Sequence, residues 1–382
     1  KLHYNESNYF IFDDKQKLMI VEDVVMHLEA LAPITYAEKF DNVGLLVGNK
    51  NSELTGVLVT LDTLEIVIDE AIEKNCNLIV SFHPIIFNGL KKITGSSYVE
   101  RVVLKAIENK IAIYAIHTAL DNAFVGTNAG LCEILGLQNK KVLIPQVSTI
   151  KQLTTYVPKE NAESLRAALF EVGAGSIGNY NSCSFNVNGK GTFKGDENSS
   201  PVVGKKHVLQ KEKEVQINIS FEKHLEKSVL KTLFQNHPYE EAAYKIITLE
   251  NTNQHIGIGM IGVLENPMSS LAFLKFIKKK INCNLVRHSR LLNTKIKKVA
   301  VLGGSGSFAI EAAKSSGAQA FITSDLKYHD FFKAENELLL IDIGHYESEQ
   351  HIKNILVAYL NKKITNFAVV LSTINTNPVK YT

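Results

Sequence analysis

The stretch "ELLLIDIGHYESEQH", residues 337–351, joins an apolar run to a glycine and then to His345 and Glu349. A nearly continuous apolar run of this length is typical of a strand buried on both faces of a parallel α/β sheet. His345 and Glu349 are four residues apart, so they share one face of any helix that begins there. The pair is either half of a metal site or an ordinary placement of a carboxylate at a helix start.

Three further strand-like runs end in the same residue types. They are "NLIVSFHP" (77–84) with His83, "IAIYAIHTALD" (111–121) with His117 and Asp121, and "AQAFITSDLKYHD" (318–330) with Asp325 and His329. A single histidine after a strand is more often a satisfied polar residue than a ligand. Ligands of open α/β sheets gather beyond the carboxyl ends of the strands, however, so four such ends favour one joint site.

The mixture of imidazole and carboxylate side chains indicates which chemistry such a site supports. These ligands suit zinc, manganese, iron or a similar divalent ion. A carboxylate such as Glu349 can bridge two ions, an arrangement that activates water and holds a leaving oxygen. His224, His255, His288 and His351 lack this context, and we interpret them as ordinary histidines.

The rest of the chain predicts an α/β fold interrupted by a second module. Apolar strands alternate with helical patterns before residue 145 and again after residue 256, which indicates a buried, largely parallel sheet built from both ends of the chain. Between them, two successive strand–helix–strand halves predict a ferredoxin-like α+β module. We therefore expect an α/β domain formed by residues 19–145 and 256–382, with an inserted domain at residues 151–250.

Composition excludes several classes of protein. The 382 residues include 45% hydrophobic and 21% charged residues, and the net charge is only +3. This balance gives no electrostatic reason to expect a nucleic-acid or membrane partner. The four cysteines form no CxxC pair, which favours free thiols in a reducing compartment, and no apolar stretch approaches the ~18 residues of a membrane span. Residues 1–18 lack a secretory signal and are interpreted as a start-site extension or a tag remnant, so a cytoplasmic protein is expected.

Two glycine-containing motifs remain open to two interpretations each. In "VAVLGGSGS" (299–307) the glycines either serve a tight turn and close packing or bind an anion through backbone amides. In "FDNVGLLVG" (40–48), Asp41 and Asn42 either cap a turn or line the site. A serine or cysteine nucleophile has little support, because no GxSxG motif occurs.

Taken together, "FDNVGLLVG", "SFHPIIFNGLKKI", "AIHTALDNA", "VLGGSGS", "SDLKYHD" and "GHYESE" strongly resemble the Nif-three-like family, also called GTP cyclohydrolase I type 2 homologues. The resemblance covers nearly all of the chain after Met19, with the motifs in the same order. The middle segment, through "HPYEEAAY" and the sequence before it, is similar to the PII and CutA type of ferredoxin-like domain.

The resemblance implies a dinuclear metal centre within a ring-shaped homohexamer. It places His83, Asp121, His345 and Glu349 on metal-ligand positions. His117, Asp325 and His329 fall beside the centre, as catalytic groups or as groups that orient ligands. Two divalent ions per chain are expected, zinc first, with manganese, iron and nickel as alternatives.

One position departs from the family pattern. Many members have two adjacent histidines before the proline, whereas this chain has Phe82 followed by His83. Phenylalanine offers no lone pair, so one of the two ions loses a protein ligand, and its occupancy becomes a question for measurement.

The resemblance implies a metal-dependent hydrolase that acts on a small molecule. Its substrate is either a nucleotide, by opening of the guanine ring of GTP with loss of formate, or a phosphoester. The alternative is a non-enzymatic metal-binding scaffold or regulator, in which the PII-like module senses a small molecule. A nucleic-acid partner is disfavoured by the near-balanced charge.

Overall fold

The computed structural model describes residues 18–365 and 367–380, and it contains three β-sheets. Apart from residue 18, the predicted start-site extension or tag remnant lies outside the described residues. The four cysteines are free thiols, as predicted. Among the helices of the described residues, none combines the length and the apolarity needed to cross a membrane.

The first sheet has five strands and is covered on both faces. Its strand order is β1-β4-β3-β2-β15, and only β1 runs antiparallel to its neighbour. Its strands are β1 (Gly44–Val47), β2 (Val57–Thr60), β3 (Leu78–Ser81), β4 (Ala112–Ala115) and β15 (Val369–Leu371). The covering helices are α1 (Val21–Leu31), α2 (Glu65–Glu73), α3 (Tyr98–Glu108) and α11 (Ile352–Lys363). Val57 and Val59 face the core shared with α1 and α11, whereas Leu58 faces the core shared with α2 and α3. Burial of both faces explains why these strands are continuously apolar.

The second sheet has six strands in the order β11-β14-β13-β12-β10-β5. Its central strands β12, β13 and β14 are parallel, and the flanking strands are antiparallel. The strands are β5 (Gln138–Pro145), β10 (Gly257–Met268), β11 (Arg287–His288), β12 (Ile296–Ser305), β13 (Ala320–Ser324) and β14 (Leu339–Asp342). One face packs against α5 (Thr127–Ile134) and α8 (Ser270–Ile281), and the other against α9 (Ile310–Ser315).

The third sheet lies between β5 and β10 in the sequence and is entirely antiparallel. It is formed by β6 (Ile150–Pro158), β7 (Phe185–Phe193), β8 (Gln210–Glu222) and β9 (Tyr244–Leu249), in the order β7-β8-β6-β9. Helices α6 (Ala162–Glu171) and α7 (Glu226–Asn236) pack on one face through Leu165, Leu169, Val229 and Leu233. The predicted ferredoxin-like arrangement of this segment is confirmed. The exact domain limits stay a prediction.

The structure differs from the prediction of a single largely parallel sheet, because the parallel strands are divided between two sheets. The strands β5, β10 and β11 were missed. Gly257 and Gly259 in β10 have φ angles of 154° and 70°, and glycine inside a run argues against a regular strand. Gly257 nevertheless lies in the strand. Glycine is needed at this position because a Cβ there would lie 2.2 Å from the carbonyl oxygen of Ile144 in β5. After β13 the chain forms a 3₁₀ helix, Tyr328–Ala334.

The carboxyl ends of strands from two sheets supply the polar residues of the predicted site. His83 follows β3, and β4 leads into the short helix α4 (His117–Asp121). From the second sheet, Asp325 follows β13, and β14 leads into the short helix α10 (His345–Glu349). The ring centroids of His83 and His345 are 5.4 Å apart, so the two sheet edges meet here.

Candidate metal centre

Glu349 occupies the middle of the cluster. Its Oε2 lies 3.2 Å from Nε2 of His83 and 3.1 Å from Nε2 of His345. One ligand atom from each of these three residues falls within 4.8 Å of the others, close enough for one ion to contact all three. The helical spacing of His345 and Glu349 turns both toward the same point, as the sequence predicted.

Each histidine of the cluster is held by a carboxylate at its other ring nitrogen. Nδ1 of His83 lies 2.8 Å from Oδ1 of Asp62, and Nδ1 of His345 lies 2.6 Å from Oδ2 of Asp325. Nδ1 of His117 lies 2.8 Å from Oδ1 of Asp41 in the same way. Such a partner accepts a hydrogen bond from Nδ1–H, and this leaves Nε2 as the lone-pair donor and fixes the ring orientation. This pattern is typical of metal-binding histidines.

Asp41 lines the site, so for this residue of "FDNVGLLVG" the second interpretation, lining of the site, holds. Besides His117, it accepts a hydrogen bond from the amide of Thr118 at 3.1 Å and another from the Thr118 hydroxyl. Burial would raise the pKa of Asp41, but the bonds from His117 and Thr118 lower it to about 2. Asp41 is therefore ionised and ready to orient His117.

His117 stands beside His83, with 5.2 Å between the ring centroids. Its φ angle of 23° is unusual for a residue with a side chain, and its amide donates to the carbonyl of Phe82 at 2.9 Å. Strained backbone of this kind persists where the surrounding structure holds it, and it is common at functional sites. The ring of Phe82 is fully buried in the apolar core, with its centroid 5.5 Å from that of His117.

Two carboxylates are buried at the centre without enough compensation from the protein. Asp121 is 7% exposed and Glu349 is 2% exposed. Oδ1 of Asp121 has no hydrogen-bond partner among the described residues, and burial together with repulsion from Glu349 raises the pKa of Asp121 to about 7. An unpaired buried carboxylate is costly unless a cation or a proton neutralises it. A divalent cation beside Glu349 would neutralise both groups, so the residues present fit a metal ion.

Protons on the histidines compete with a cation for the same nitrogen atoms. Burial would lower the pKa of His83, but its hydrogen bond to Asp62 and the adjacent Glu349 carboxylate raise it to about 9. Burial would likewise lower the pKa of His345, but its hydrogen bond to Asp325 and the adjacent Glu349 carboxylate raise it to about 10. The same two histidines hold the pKa of Glu349 below its ordinary value, against the effect of burial. The centre thus attracts positive charge strongly.

The glycine turn after β12 makes room for Glu349. A Cβ on Gly304 would lie 2.5 Å from Oε1 of Glu349, and the φ angle of Gly304 is 72°. The amides of Gly303 and Gly304 donate to Oδ1 of Asn128 at 3.0 Å and to the hydroxyl of Ser348 at 2.9 Å. Because both amides are already engaged, Gly303 and Gly304 follow the packing interpretation of "VAVLGGSGS" rather than the anion-binding one.

Comparison with known proteins places this architecture in a family. A family model described as Duf34/NIF3 (NGG1p interacting factor 3) matches residues 19–378. The chain belongs to the Duf34/NIF3 family. A Bacillus subtilis (strain 168) relative named "GTP cyclohydrolase 1 type 2 homolog" is 38% identical over 368 residues, covering 94% of this chain and 98% of the relative.

Solved structures of similar proteins share the whole fold. A Bacillus cereus protein related to NIF3 is 35% identical with a TM-score of 0.81, covering 96% of this chain and all of that chain. A Staphylococcus aureus protein is 33% identical with a TM-score of 0.75, covering 96% of this chain and 99% of that one. The family resemblance inferred from the motifs is thus confirmed.

In this Duf34/NIF3 chain most of the predicted site residues come together. His83, His345 and Glu349 form the cluster, Asp325 bonds to His345, and His117 and Asp121 stand beside them. His329 is different: it is exposed, and its ring contacts Tyr328 and Phe332. Within the described residues it makes no contact with the cluster.

Sequence reasoning missed Asp62, although the signal was present. Asp62 ends the run "GVLVTLD", so it follows the strand β2 as His83 follows β3. Its second oxygen accepts a hydrogen bond from the hydroxyl of Thr376 near the end of the described chain. Bonds from His83 and Thr376 outweigh burial and lower the pKa of Asp62. An ionised Asp62 therefore fixes the orientation of the His83 ring through Nδ1.

Proposed function

We propose that the protein is a metal-dependent hydrolase with a dinuclear centre. The observation that carries the proposal is the buried Glu349 carboxylate facing two Nε2 atoms, each on a ring held by an aspartate. In this proposal His83, Asp121, His345 and Glu349 would hold two divalent ions per chain. Zinc is our first expectation, and manganese, iron and nickel are alternatives, because imidazole and carboxylate ligands suit all four.

The bound ions would supply Lewis acidity, which activates water for attack on an electrophilic carbon or phosphorus. The chain's own residues do the rest of the work. Asp62 and Asp325 orient His83 and His345, and Asp41 orients His117. We assign His117 to proton movement beside the ions, because its held ring stands next to the cluster without bonding to Glu349. His329 has no contact that supports a catalytic assignment.

The substrate we propose is a small molecule, either a nucleotide or a phosphoester. The name of the curated relatives, "GTP cyclohydrolase 1 type 2 homolog", supports GTP as the first compound to try. We also propose a cytoplasmic homohexamer, with the α/β domain at residues 19–145 and 256–382 and the inserted domain at 151–250. Solution scattering or analytical ultracentrifugation of the purified chain tests the hexamer.

Reversible dependence on metal tests the hydrolase. The purified chain is assayed with GTP and with a generic phosphoester such as p-nitrophenyl phosphate, before and after chelation and after each metal is added back. Asp121→Asn should lose hydrolysis and metal together. Its matched control is Asp69→Asn, because Asp69 is exposed and pairs only with Lys105 on the surface. Hydrolysis that survives complete chelation would refute the proposal.

The second candidate is a metal-binding scaffold with a sensing module, and one cavity favours it. The inserted sheet borders a cavity of about 880 Å³ whose lining includes Tyr156, Lys190, Phe193, Glu214 and Tyr239. Tyr239 donates to Oε1 of Glu214 at 2.8 Å and packs against Phe193. This cavity is large enough for a small molecule. Metal-loaded protein that hydrolyses neither compound, and whose thermal stability responds to a metabolite only when Tyr239 is intact, would favour the scaffold.

A further inference from the structure

A groove beside the proposed metal centre is lined by arginines on one side and aromatic rings on the other. Its volume is about 750 Å³, and it lies between β11 and the 3₁₀ helix Tyr328–Ala334. Its basic and aromatic side chains include Arg287, Arg290, Tyr328, Phe331 and Phe332. We call it the aromatic–arginine groove.

The aromatic side of the groove is open to solvent. Tyr328 is 72% exposed and Phe332 is 64% exposed, and their ring centroids are 5.4 Å apart at an angle of 80°. Two adjacent exposed rings of this size leave apolar surface uncovered, which commonly marks a binding site. Ring faces of this kind stack favourably on a planar aromatic ligand.

The two arginines differ in how they are held. Arg287 donates to Oδ2 of Asp342 at 3.1 Å and to the carbonyl of Leu326 at 2.7 Å, and its guanidinium lies over the ring of Phe331. Arg287 is therefore neutralised and fixed. Arg290 is exposed and makes no hydrogen bond or ion pair within the part of the chain that the structure describes.

The acidic residue of the groove does not neutralise Arg290. Glu335 forms its ion pair with Lys314 instead. The groove therefore carries one uncompensated positive charge, at Arg290. Such a charge beside aromatic rings suits an anionic group on a ring-bearing ligand.

Chain connectivity limits the distance between the groove and the metal centre. Asp325 contacts Nδ1 of His345 at 2.6 Å, and Tyr328 follows it by three residues, which span at most about 11 Å. At the same end, Arg287 pairs with Asp342, just before α10. Next along the strand, His288 pairs with Ile341, and the amide of Ser289 donates to the carbonyl of Leu340. Arg290 thus lies further from the centre than Arg287.

We propose that the aromatic–arginine groove binds the substrate with a planar aromatic ring toward the metal centre and an anionic group at Arg290. The ring stacks on the face of Tyr328, and its edge meets Phe332, whose ring stands at 80° to that of Tyr328. The ligand class is a nucleotide or another ring carrying a remote phosphate. The inference rests on the proposed function, and this orientation favours the nucleotide over the phosphoester. A phosphoester that reacts at phosphorus would carry its charge to the centre and leave Arg290 unused.

Equilibrium binding of GTP and guanosine to the full chain, with its metal retained, tests the groove. Arg290→Ala should weaken GTP binding by about tenfold or more and leave guanosine binding unchanged, because one charge-assisted hydrogen bond is lost. Tyr328→Ala should weaken both ligands by about fivefold or more, because base stacking is lost. The matched control is Arg101→Ala, since Arg101 is an exposed arginine paired with Glu65 on the first sheet.

Metal content and oligomeric state separate the explanations. All three variants should keep the metal content and the oligomeric state of the unchanged chain, because none of the residues contacts the cluster. Equal GTP affinity in Arg290→Ala and the unchanged chain would overturn the proposal that the groove binds substrate. Dissociation of an oligomer by Tyr328→Ala would overturn it too, because the groove would then be a subunit interface. GTP binding that weakens in both variants, in a chain that shows no hydrolysis, would instead overturn the proposed function alone.

Discussion

Two histidines have opposite surroundings: His83 is half-buried at the edge of the α/β sheets, and His237 is buried at the end of helix α7 in the inserted module. His237 in the insert has its Nε2 3.0 Å from the carbonyl of Tyr156 and accepts at Nδ1 from the amide of Tyr239. His83 has carboxylates at both nitrogens, Asp62 and Glu349. Burial lowers the pKa of His237, whereas the two carboxylates raise that of His83 to about 9.

The comparison teaches that the partners of a histidine, rather than its burial, distinguish a site from a core. Neutral backbone partners satisfy His237 completely and leave nothing for a ligand. At the sheet edges, by contrast, the two buried carboxylates Asp121 and Glu349 bring an excess of negative charge. The histidines neutralise this charge only when the histidines carry protons. An excess of buried carboxylate is stable only with a cation or bound protons.

The largest effect is expected from Glu349, the carboxylate at the middle of the cluster. Glu349→Gln removes the charge that faces both Nε2 atoms, so the chain should retain little or no metal while it stays folded. Elemental analysis and circular dichroism measure the two properties. Glu347→Gln is the matched control on the same helix, because Glu347 bonds to Asn377 instead of the cluster. Full metal content in Glu349→Gln would break the comparison.

A smaller effect is expected when His83 is given a neutral partner like those of His237. Asp62→Asn keeps the size of the side chain but loses its charge, so metal affinity should fall by about 10–100-fold. Competition with a chromogenic chelator measures the affinity, and Asp69→Asn serves as the surface control. Unchanged affinity would mean that Asp62 does not support a metal ligand.

The pH dependence of the metal-free chain should also distinguish the two histidines. The folded pKa of His83 is above its unfolded value, so its stabilisation is complete below pH ~6.5 and is lost as the pH rises through about 9. The loss for His83 is on the order of 1–3 kcal/mol. The lowered pKa of His237 acts in the opposite sense and costs stability as the pH falls below ~6.5.

Urea unfolding of chelator-treated protein at several pH values between 5 and 10 measures this dependence. The alkaline loss should be reduced in Glu349→Gln, because one of the two carboxylates that raise the pKa of His83 is then uncharged. A stability that does not change between pH 7 and 10 would contradict the electrostatic description of the centre.

The smallest effect is expected from His237 itself. His237→Ala removes hydrogen bonds to neutral backbone groups, so the free energy of unfolding should fall by about 1–2 kcal/mol. Metal content should not change. A loss of metal in this variant would show that a buried histidine with neutral partners matters to the centre, against the comparison.

Sequence reasoning found the centre because its rule concerned strand ends. His83, His117, Asp325 and His345 each follow a parallel strand, and parallel strands present their carboxyl ends at one edge of a sheet. The rule could not show that two sheets contribute, because that depends on β10 pairing with β5 and β12 across a strand interrupted by glycine. The expectation that His329 stands beside the centre rests on the strand end before it and on the family resemblance, and the 3₁₀ turn carries its ring to Tyr328 and Phe332.

The inserted module was predicted more completely than the centre. Alternating apolar residues in its strands and one apolar stripe on each helix are local signals, and they define the four-stranded sheet and its core. The partners of the cluster are long-range by contrast: Asp41 reaches His117 across 76 positions of sequence, and Asp62 reaches His83 across 21. No local period encodes such pairs.

The number of metal ions per chain tests the central claim most directly. Elemental analysis of protein purified without added metal or chelator should give nearly two ions per chain, which would mean that the centre tolerates Phe82. Nearly one ion would contradict the dinuclear centre and identify Phe82, buried in the core at that position, as the reason. No bound ion, even after zinc or manganese is added back, would contradict the account of His83, His345 and Glu349 as a metal site.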